Sequence, residues 1–430
     1  MLCCVHAVAH SNAPKQVVYT PWWPPGTEKS AESVGIFLPR VQTLYMTGMM
    51  EVNDTLGLEV GMELDDARDI AANVSFTPLT DSLVDCIVNV PPAAAAAGTA
   101  ARAVRAAFEE KLGSADAVPA LTVVGAAGEY TWANSSISCI ARRGLSAKRV
   151  RRVPLGAGVD DAVAVGEATA VAVDADVWVA ATVPIAGSIA QASNTSNTSS
   201  SSSSASASPA TTLAADLSWL SELLGAAGAA PADLIDCTVF VGADAAGDQV
   251  AKAAVRELRR MSASDGVVAR EHSTTAAAAV SAVRVRSLAS LQPQGGASYA
   301  LRCFASAGAA ASKRSVRSAG NTASTGEATP YAVSARGQVF VEATPARLRN
   351  ATDAFAGIER ALKGAGSSMK LAANCVFWVR QLSRMGDLFE GFYQTFNVDA
   401  YPPPSRTEFV GTPFSCESCA VLAKCVGAMP

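Results

Sequence analysis

The sequence has few charged residues and almost no histidine. Charged side chains make up 17% of the 430 residues, the formal net charge is −4, and there are only 3 histidines. A slightly acidic chain does not offer the clustered basic face that nucleic acids require. With so few histidines a Ser-His-Asp triad is not supported, and no phosphate-binding glycine loop follows a predicted strand. These classes of function are therefore set aside.

Long apolar runs are also missing. No stretch reaches the ~18 apolar residues of a membrane helix, so no membrane partner is expected. The opening Met1–Lys15 lacks a basic start followed by an apolar stretch and makes a poor signal peptide. We expect a cytoplasmic protein, with a short organelle presequence as the alternative.

The ten cysteines fall mostly at repeated positions. One position holds Cys86, Cys237 and Cys375, and the other holds Cys139, Cys303 and Cys425. This placement favours small buried apolar side chains in a reducing compartment over a disulfide framework. Cys416 and Cys419 have the short spacing of thiolate zinc ligands, but no fourth ligand is near. No metal and no cofactor are predicted.

An apolar segment of strand length recurs three times. Its copies are Leu83–Val90, Leu234–Val241 and Leu371–Val379, and each contains one of the repeated cysteines. Short apolar runs with few polar breaks are typical of strands that are buried on both faces. Three copies predict three tandem units, in agreement with about 150 residues per domain.

Each unit has the predicted order β-β-α-β-α-β-β. This order predicts an α/β (α+β) fold in which a mixed sheet carries two helices on one face. The units span residues 16–142, 150–305 and 329–430, with a linker at 306–328 and a disordered Ser/Thr-rich insertion at 187–209. Thr99–Leu112 is a clear amphipathic helix and Asp65–Val74 a short, weak one. The basic segment Arg142–Arg152 is predicted to be a solvated linker.

The joints between these elements resemble the RidA (YjgF-type) family of reactive-intermediate deaminases. Pro330-Tyr331 and Gly337–Val341 are similar to the family's Gly-Pro-Tyr-Ser opening and first hairpin. Met385–Phe389 is similar to the start of its second helix, and Pro404-Ser405-Arg406-Thr407 to its Pro-Ala-Arg-Thr signature. The resemblance implies chorismate-mutase-like units with sites at the clefts between them. Three such units in one chain could close into an intramolecular pseudo-trimer, or the chain could form a homo-oligomer.

The resemblance also implies a reaction, the hydrolysis of small 2-imino or enamine acids to 2-keto acids and ammonia. Arg406 fills the position of the arginine that grips the substrate carboxylate, a role that suits a guanidinium fork. Leu121 stands there in the first unit, and Arg284 or Arg286 in the second. A small carboxylate metabolite is thus the expected partner.

The remaining candidates surround Arg406 in the motif. Glu408 shares a strand face with Arg406, where it either replaces a missing catalytic carboxylate or blocks the site through an ion pair. Tyr331 is a candidate hydrogen-bond donor. The family's water-orienting Glu is replaced by Ser138, Arg302 and Lys424, of which Lys424 is a candidate substrate-binding residue.

Three functions remain open from the sequence. The first is a deaminase with a single site near Arg406. The second is a catalytically degenerate RidA-like protein that binds a metabolite or acts as a scaffold. The third is a detached relative of the C-terminal half of a diphthine–ammonia ligase, although the sequence has no Ser-Gly-Gly-x-Asp-Ser loop and would not amidate diphthine alone. Fold alone does not decide among these functions.

Overall fold

A computed structural model of the chain describes most of the three predicted units. It describes residues 13–18, 34–49, 55–76, 78–96, 99–126, 135–157, 164–184, 217–242, 245–263, 276–288, 297–317, 331–342, 344–346, 352–396, 403–410, 412–413 and 419–430. The predicted insertion at 187–209 lies outside these residues.

In the part of the first unit that the structure describes there are six strands and four α-helices. The strands are β1 (Gln16–Val18), β2 (Gly35–Leu38), β3 (Thr43–Met49), β4 (Leu83–Val90), β5 (Ala120–Gly125) and β6 (Ser136–Arg142). The helices are α1 (Leu56–Ala72), α2 (Leu79–Ser82), α3 (Pro92–Ala96) and α4 (Thr99–Leu112).

The second unit contains seven strands and two helices among the described residues. The strands are β7 (Arg149–Ala157), β8 (Ala164–Val173), β9 (Asp176–Pro184), β10 (Leu234–Gly242), β11 (Ala279–Val285), β12 (Ser287–Leu288) and β13 (Ala297–Ser306). The helices are α5 (Ser218–Ala227) and α6 (Ala245–Ser262).

The third unit repeats the plan once more. Its strands are β14 (Arg314–Arg317), β15 (Tyr331–Ala335), β16 (Gln338–Val341), β17 (Thr344–Ala346), β18 (Ala372–Val379), β19 (Ser405–Val410), β20 (Thr412–Pro413) and β21 (Val421–Ala428). The helices are α7 (Asp353–Gly364) and α8 (Met385–Thr395).

Three mixed sheets follow from these strands, so the predicted α+β class is confirmed. Their strand orders are β1-β2-β3-β6-β4-β5-β12, then β20-β11-β10-β13-β9-β8-β7, and β14-β15-β16-β21-β18-β19. In each sheet the recurring strand is central, with a parallel neighbour on one side and an antiparallel one on the other. The predicted repeat therefore marks the same place in all three sheets.

The units also exchange short strands. β12 leaves the second unit and pairs with β5 of the first sheet, while β20 leaves the third unit and pairs with β11 of the second. Each exchange adds backbone hydrogen bonds across a junction and covers a sheet edge that would otherwise invite other chains.

The central strands are buried on both faces because each sheet packs against two cores. On the outer face, helices close one separate apolar cluster per unit. On the inner face, two further clusters draw residues from all three units. Val88 belongs to the outer core and Ile87 to an inner one, which accounts for the unbroken apolar sequence of this strand.

The repeated cysteines are paired in disulfides, so the prediction of free buried thiols is wrong. Cys86 bonds to Cys139, and the corresponding bonds join Cys237 to Cys303 and Cys375 to Cys425. Each pair stands directly opposite on two antiparallel strands, a cross-strand register that the sequence alone did not reveal. A reducing compartment was predicted because the cysteines were expected to be free thiols, and the disulfides remove that reason. The cytoplasmic location stays a prediction.

The two predicted linkers also differ from expectation. Arg142–Arg152 is not a solvated linker, because Arg142 pairs with Asp176 at 3.0 Å and the Lys148 amine donates to carbonyl oxygens of the first unit. The predicted linker at 306–328 contains β14, which pairs with β15. Both segments supply the first strand of the following unit, with basic side chains that bond to the preceding one.

Helix α1 is longer than predicted, since it begins at Leu56 rather than at Asp65. Glu59 and Glu63 lie on its buried face, where Ser135 donates hydrogen bonds to both carboxylates. Two buried acids weaken the apolar pattern that would have predicted the first two turns. No helix among the described residues is long and apolar enough to cross a membrane.

Candidate functional site

Arg406 lies at the junction of the third and first units. It stands on β19, the edge strand that runs parallel to β18, with Cys375 as its register partner. Its backbone N–H donates to the Thr47 hydroxyl of the first unit at 2.9 Å. The next residue, Thr407, shares a hydrogen bond with Ser138 of the first unit. The strand that carries the candidate arginine is thus fixed from across the junction.

The Arg406 guanidinium stacks on the rings of α8. Its Cζ atom lies 4.5 Å from the Phe389 ring centre, 4.7 Å from that of Phe392 and 6.0 Å from that of Tyr393. Stacking of this kind uses the face of a guanidinium, whereas a carboxylate binds to its edge. The aromatic contacts therefore restrict the orientation of Arg406 in a way that is compatible with bidentate binding of a carboxylate.

Tyr331 does not join Arg406. It begins β15, four strand spacings from β19, which is roughly 19 Å at the usual spacing of strands. Its hydroxyl donates to the Ala277 carbonyl of the second unit at 2.7 Å. Tyr331 therefore belongs to the junction of the second and third units. Glu408 lies on β19 two residues after Arg406, and its side chain is outside the residues that the structure describes.

Lys424 and Arg406 lie on opposite faces of the third sheet. Lys424 and Thr407 are both register partners of Val376, whereas Arg406 is a partner of the neighbouring Cys375. The Lys424 amine points to the inner face, where it contacts Asp236 at 2.8 Å and donates to the Thr238 hydroxyl at 2.7 Å. The two predicted substrate-binding residues do not form one site.

On the inner face, a ring of contacts joins each unit to the next. Arg302 of the second unit donates to Asp85 of the first, with its Nε atom 2.8 Å from Oδ2. Lys424 of the third unit pairs with Asp236 of the second, and Ser138 of the first unit bonds to Thr407 of the third. Ser138, Arg302 and Lys424, which each stand just before a repeated cysteine, thus bind neighbouring units to one another.

Burial sets the titration of this ring. It raises the pKa of the Asp85 carboxyl, and the Arg302 guanidinium opposes that rise. It likewise lowers the pKa of the Lys424 ammonium, and Asp236 opposes that fall. In each pair the partner's charge favours the ionised form of the buried group, whereas burial favours the neutral form.

Register also identifies the residues that correspond to Arg406. Cys86 pairs with Leu121, as the sequence predicts, and Cys237 pairs with Val280. Arg284 and Arg286 are therefore not the equivalents of Arg406. Arg284 instead forms a bidentate ion pair with Asp248, with both distances at 2.7 Å.

The junction of the first and second units has different chemistry. A partly open cavity lies beside Leu121, with about 580 Å³ of empty space when the open space at its mouth is included. Arg105 and Arg152 both contact the Glu167 carboxylate in its wall, and the Thr169 hydroxyl donates to the same group at 3.0 Å. At this junction the two arginines bind a carboxylate of the chain itself, that of Glu167, rather than the carboxylate of a ligand.

Three lysines join the units through contacts that the sequence did not predict, and we call Lys15, Lys148 and Lys313 together the lysine latch. Lys15, Lys148 and Lys313 each precede the first strand of a unit, and each amine donates to a carbonyl at the start of another unit's central strand. The acceptors belong to Ala372, Leu83 and Leu234. Burial lowers the pKa of Lys15 to about 7 and that of Lys148 and Lys313 to about 8. The sequence contained one sign of these contacts, because Lys-Arg precedes a β-rich stretch both at Lys148 and at Lys313.

The described residues contain no group of three or more His, Cys, Asp or Glu that could hold a metal. The spacing that suggested zinc is explained otherwise, because Cys425 bonds to Cys375 and Cys419 is also disulfide-bonded. Cys416 lies outside the described residues.

Comparisons with known proteins find similarity in structure. No family model matches the sequence, and no curated protein matches it. The chain is structurally similar to a chorismatase, at 10% identity and a TM-score of 0.46, over 81% of this chain and 93% of that one.

Single-unit proteins are similar to parts of the chain. A YjgF/YER057c/UK114 family member from Mycobacterium tuberculosis is 22% identical over 27% of this chain and all of its own length, with a TM-score of 0.22. A YjgF family member from Neisseria meningitidis is 17% identical over 27% of this chain and 95% of its own, with a TM-score of 0.22. At these identities the similarity concerns the fold alone. The three mixed sheets are consistent with the tandem chorismate-mutase-like units that the sequence predicts.

Proposed function

We propose that the chain binds small 2-oxo or 2-imino carboxylates at Arg406, at the junction of the third and first units. The observation that carries this proposal is the guanidinium stacked on Phe389 and Phe392 while its backbone is held by Thr47. An arginine whose orientation is already restricted loses less side-chain entropy when it binds a ligand.

Hydrolysis of a bound 2-imino acid is the finer candidate function. It requires a group that orients or activates water beside the imine carbon. The three residues at the family's Glu position are engaged in the inner ring, so Glu408 is the acid that we assign to this role. If Glu408 does not act in this way, the chain is a metabolite-binding protein without turnover, the alternative that the sequence left open.

Binding and turnover are tested separately. Calorimetric titration with 2-oxobutanoate compares the wild type with Arg406→Lys, which keeps the charge and loses the fork. The matched control is Arg284→Lys, which removes a bidentate arginine from a different junction. Loss of charge-assisted hydrogen bonds worth about 1.5–3 kcal/mol should weaken binding by roughly ten- to a hundredfold in Arg406→Lys only.

Turnover is measured with 2-iminobutanoate, generated in situ by an amino-acid oxidase. Hydrolysis above background in the wild type that disappears in both Arg406→Lys and Glu408→Gln supports a deaminase. Binding without turnover supports the metabolite-binding protein. Absence of both binding and turnover in the wild type contradicts the proposal.

A further inference from the structure

The inner faces of the three sheets leave space between them. A partly open cavity lies there, with about 720 Å³ of empty space when the open space at its mouth is included, and all three units contribute to its wall. Much of that wall is aromatic, with Trp178, Phe240, Phe340 and Trp378 among its side chains. It is separate from the proposed carboxylate site, because Arg406 projects from the opposite face of the third sheet.

The charges in the cavity wall already balance. Asp85 pairs with Arg302 and Asp236 with Lys424, so two acids face two bases. A charged ligand would either separate one of these pairs or add a buried charge without a partner, and both cost several kcal/mol. The wall therefore favours an uncharged occupant.

Three polar atoms of the wall have no hydrogen-bond partner among the described residues, and one of them, Asp236 Oδ1, is in ion-pair contact with Lys424 at 2.8 Å. The other two are the acceptor Oδ1 of Asp85 and the donor Nε1 of Trp378, and both side chains are almost completely buried. Buried polar atoms are normally hydrogen-bonded, and an unpaired one costs free energy. The side chains of Arg302 and Asp236 keep 19% and 17% of their exposure, so there is open space beside them in this interior.

We propose that the central cavity binds an uncharged aromatic molecule that carries both a hydrogen-bond donor and an acceptor, as an aromatic carboxamide does. Its ring would pack between the aromatic side chains of the wall, where offset and edge-to-face contacts are favourable. Its polar group would pair with Trp378 and Asp85. Apolar walls with a few polar groups are the usual composition of a small-molecule site.

Three probes of one shape and different charge test this proposal. Benzamide is neutral, benzoate is an anion and benzamidine is a cation. Binding is measured by calorimetry with Arg406→Gln, which lacks the guanidinium of the carboxylate site and so separates the two proposals. We expect saturable binding of benzamide that exceeds binding of either charged probe.

Two tryptophan variants locate the bound probe. Trp378→Phe keeps a ring and removes the unpaired donor, so benzamide should bind roughly three- to tenfold more weakly. Trp219→Phe is the matched control, because the Trp219 Nε1 atom is also buried without a partner but lies in the outer core of the second unit. It should leave the affinity unchanged.

The results that overturn the proposal are equally specific. They are no saturable binding of benzamide up to its solubility limit, binding of benzoate or benzamidine as tight as that of benzamide, or equal weakening by both tryptophan variants. A crystal structure with only ordered water in the cavity after soaking with benzamide would have the same consequence.

Discussion

Substitution of Asp85 by Asn should destabilise the whole ring of units. The change keeps the shape of the side chain and removes the charge that neutralises Arg302. Asp85 keeps 3% and Arg302 19% of its side-chain exposure, so the arginine would remain as a buried cation without a partner. Breaking such a buried pair typically costs about 3–5 kcal/mol, and the residual exposure of Arg302 favours the lower end.

The matching double variant separates charge from packing. Asp85→Leu combined with Arg302→Met removes both charges and keeps most of the volume. Replacement of a buried ion pair by apolar side chains is often neutral, so the double variant should unfold near the wild-type urea concentration. The two single substitutions are then strongly non-additive, which a double-mutant cycle measures directly.

An exposed ion pair provides the control. Lys363 contacts Glu359 on α7, and the two side chains keep 64% and 37% of their exposure. Removal of the Glu359 charge should cost no more than about 1 kcal/mol. If Asp85→Asn costs as little as Glu359→Gln in urea unfolding followed by tryptophan fluorescence, the inner ring is solvated and the Asp85–Arg302 pair does not stabilise the fold.

Three further predictions concern the junctions and the disulfides. Burial lowers the pKa of Lys313 to about 8, below its ordinary value of 10.5. Between about pH 8 and 10.5 the unfolded chain therefore binds a proton that the folded chain does not. The free energy of unfolding rises with pH in this window. Urea unfolding across this window should show a smaller rise for Lys313→Met, and an equal rise would contradict the latch. Replacement of both Cys237 and Cys303 by Ala should cost about 2–5 kcal/mol, and thiol titration of the unreduced denatured wild type should find neither cysteine reactive. Gly125→Ala should displace β12 and lower the melting temperature, because the added Cβ would lie 3.0 Å from the Ser287 carbonyl oxygen. Gly225→Ala is the control and should stabilise α5, because there is open space around Gly225. Equal thermal shifts in the two variants would contradict the pairing of β12 with β5.

The repeat and the order of elements could be predicted because they depend on local patterns. The recurring strand combines β-branched and apolar residues in a short run, and helices such as Thr99–Leu112 show a regular apolar face. Both patterns reflect a side chain's relation to its own sheet or helix. The start of α1 was missed because Glu59 and Glu63 are buried through contacts with Ser135, which lies far along the chain.

The cysteine pairs and the site depended on register, which a sequence shows only indirectly. Cys237 and Cys303 are 66 residues apart, and only the antiparallel alignment of β10 and β13 places them face to face. The same lack of register allowed Arg284 to be considered in place of Val280. A shift of one residue moves a side chain to the other face of a strand, so proximity in a motif did not establish proximity in space.

The inner ring gives a physical reason why Ser138, Arg302 and Lys424 differ from one another although they stand at the same position of the three units. In a trimer of identical chains the same residue stands at all three junctions, so a pair of unlike charges must repeat three times. In this chain the junctions are different: Arg302 with Asp85, Lys424 with Asp236, and Ser138 with Thr407. Exchange of any two units would place a base beside a neutral partner and leave an acid unpaired. Once the units were joined, these positions could specify the order of the units, a role that a Glu repeated three times would not fulfil.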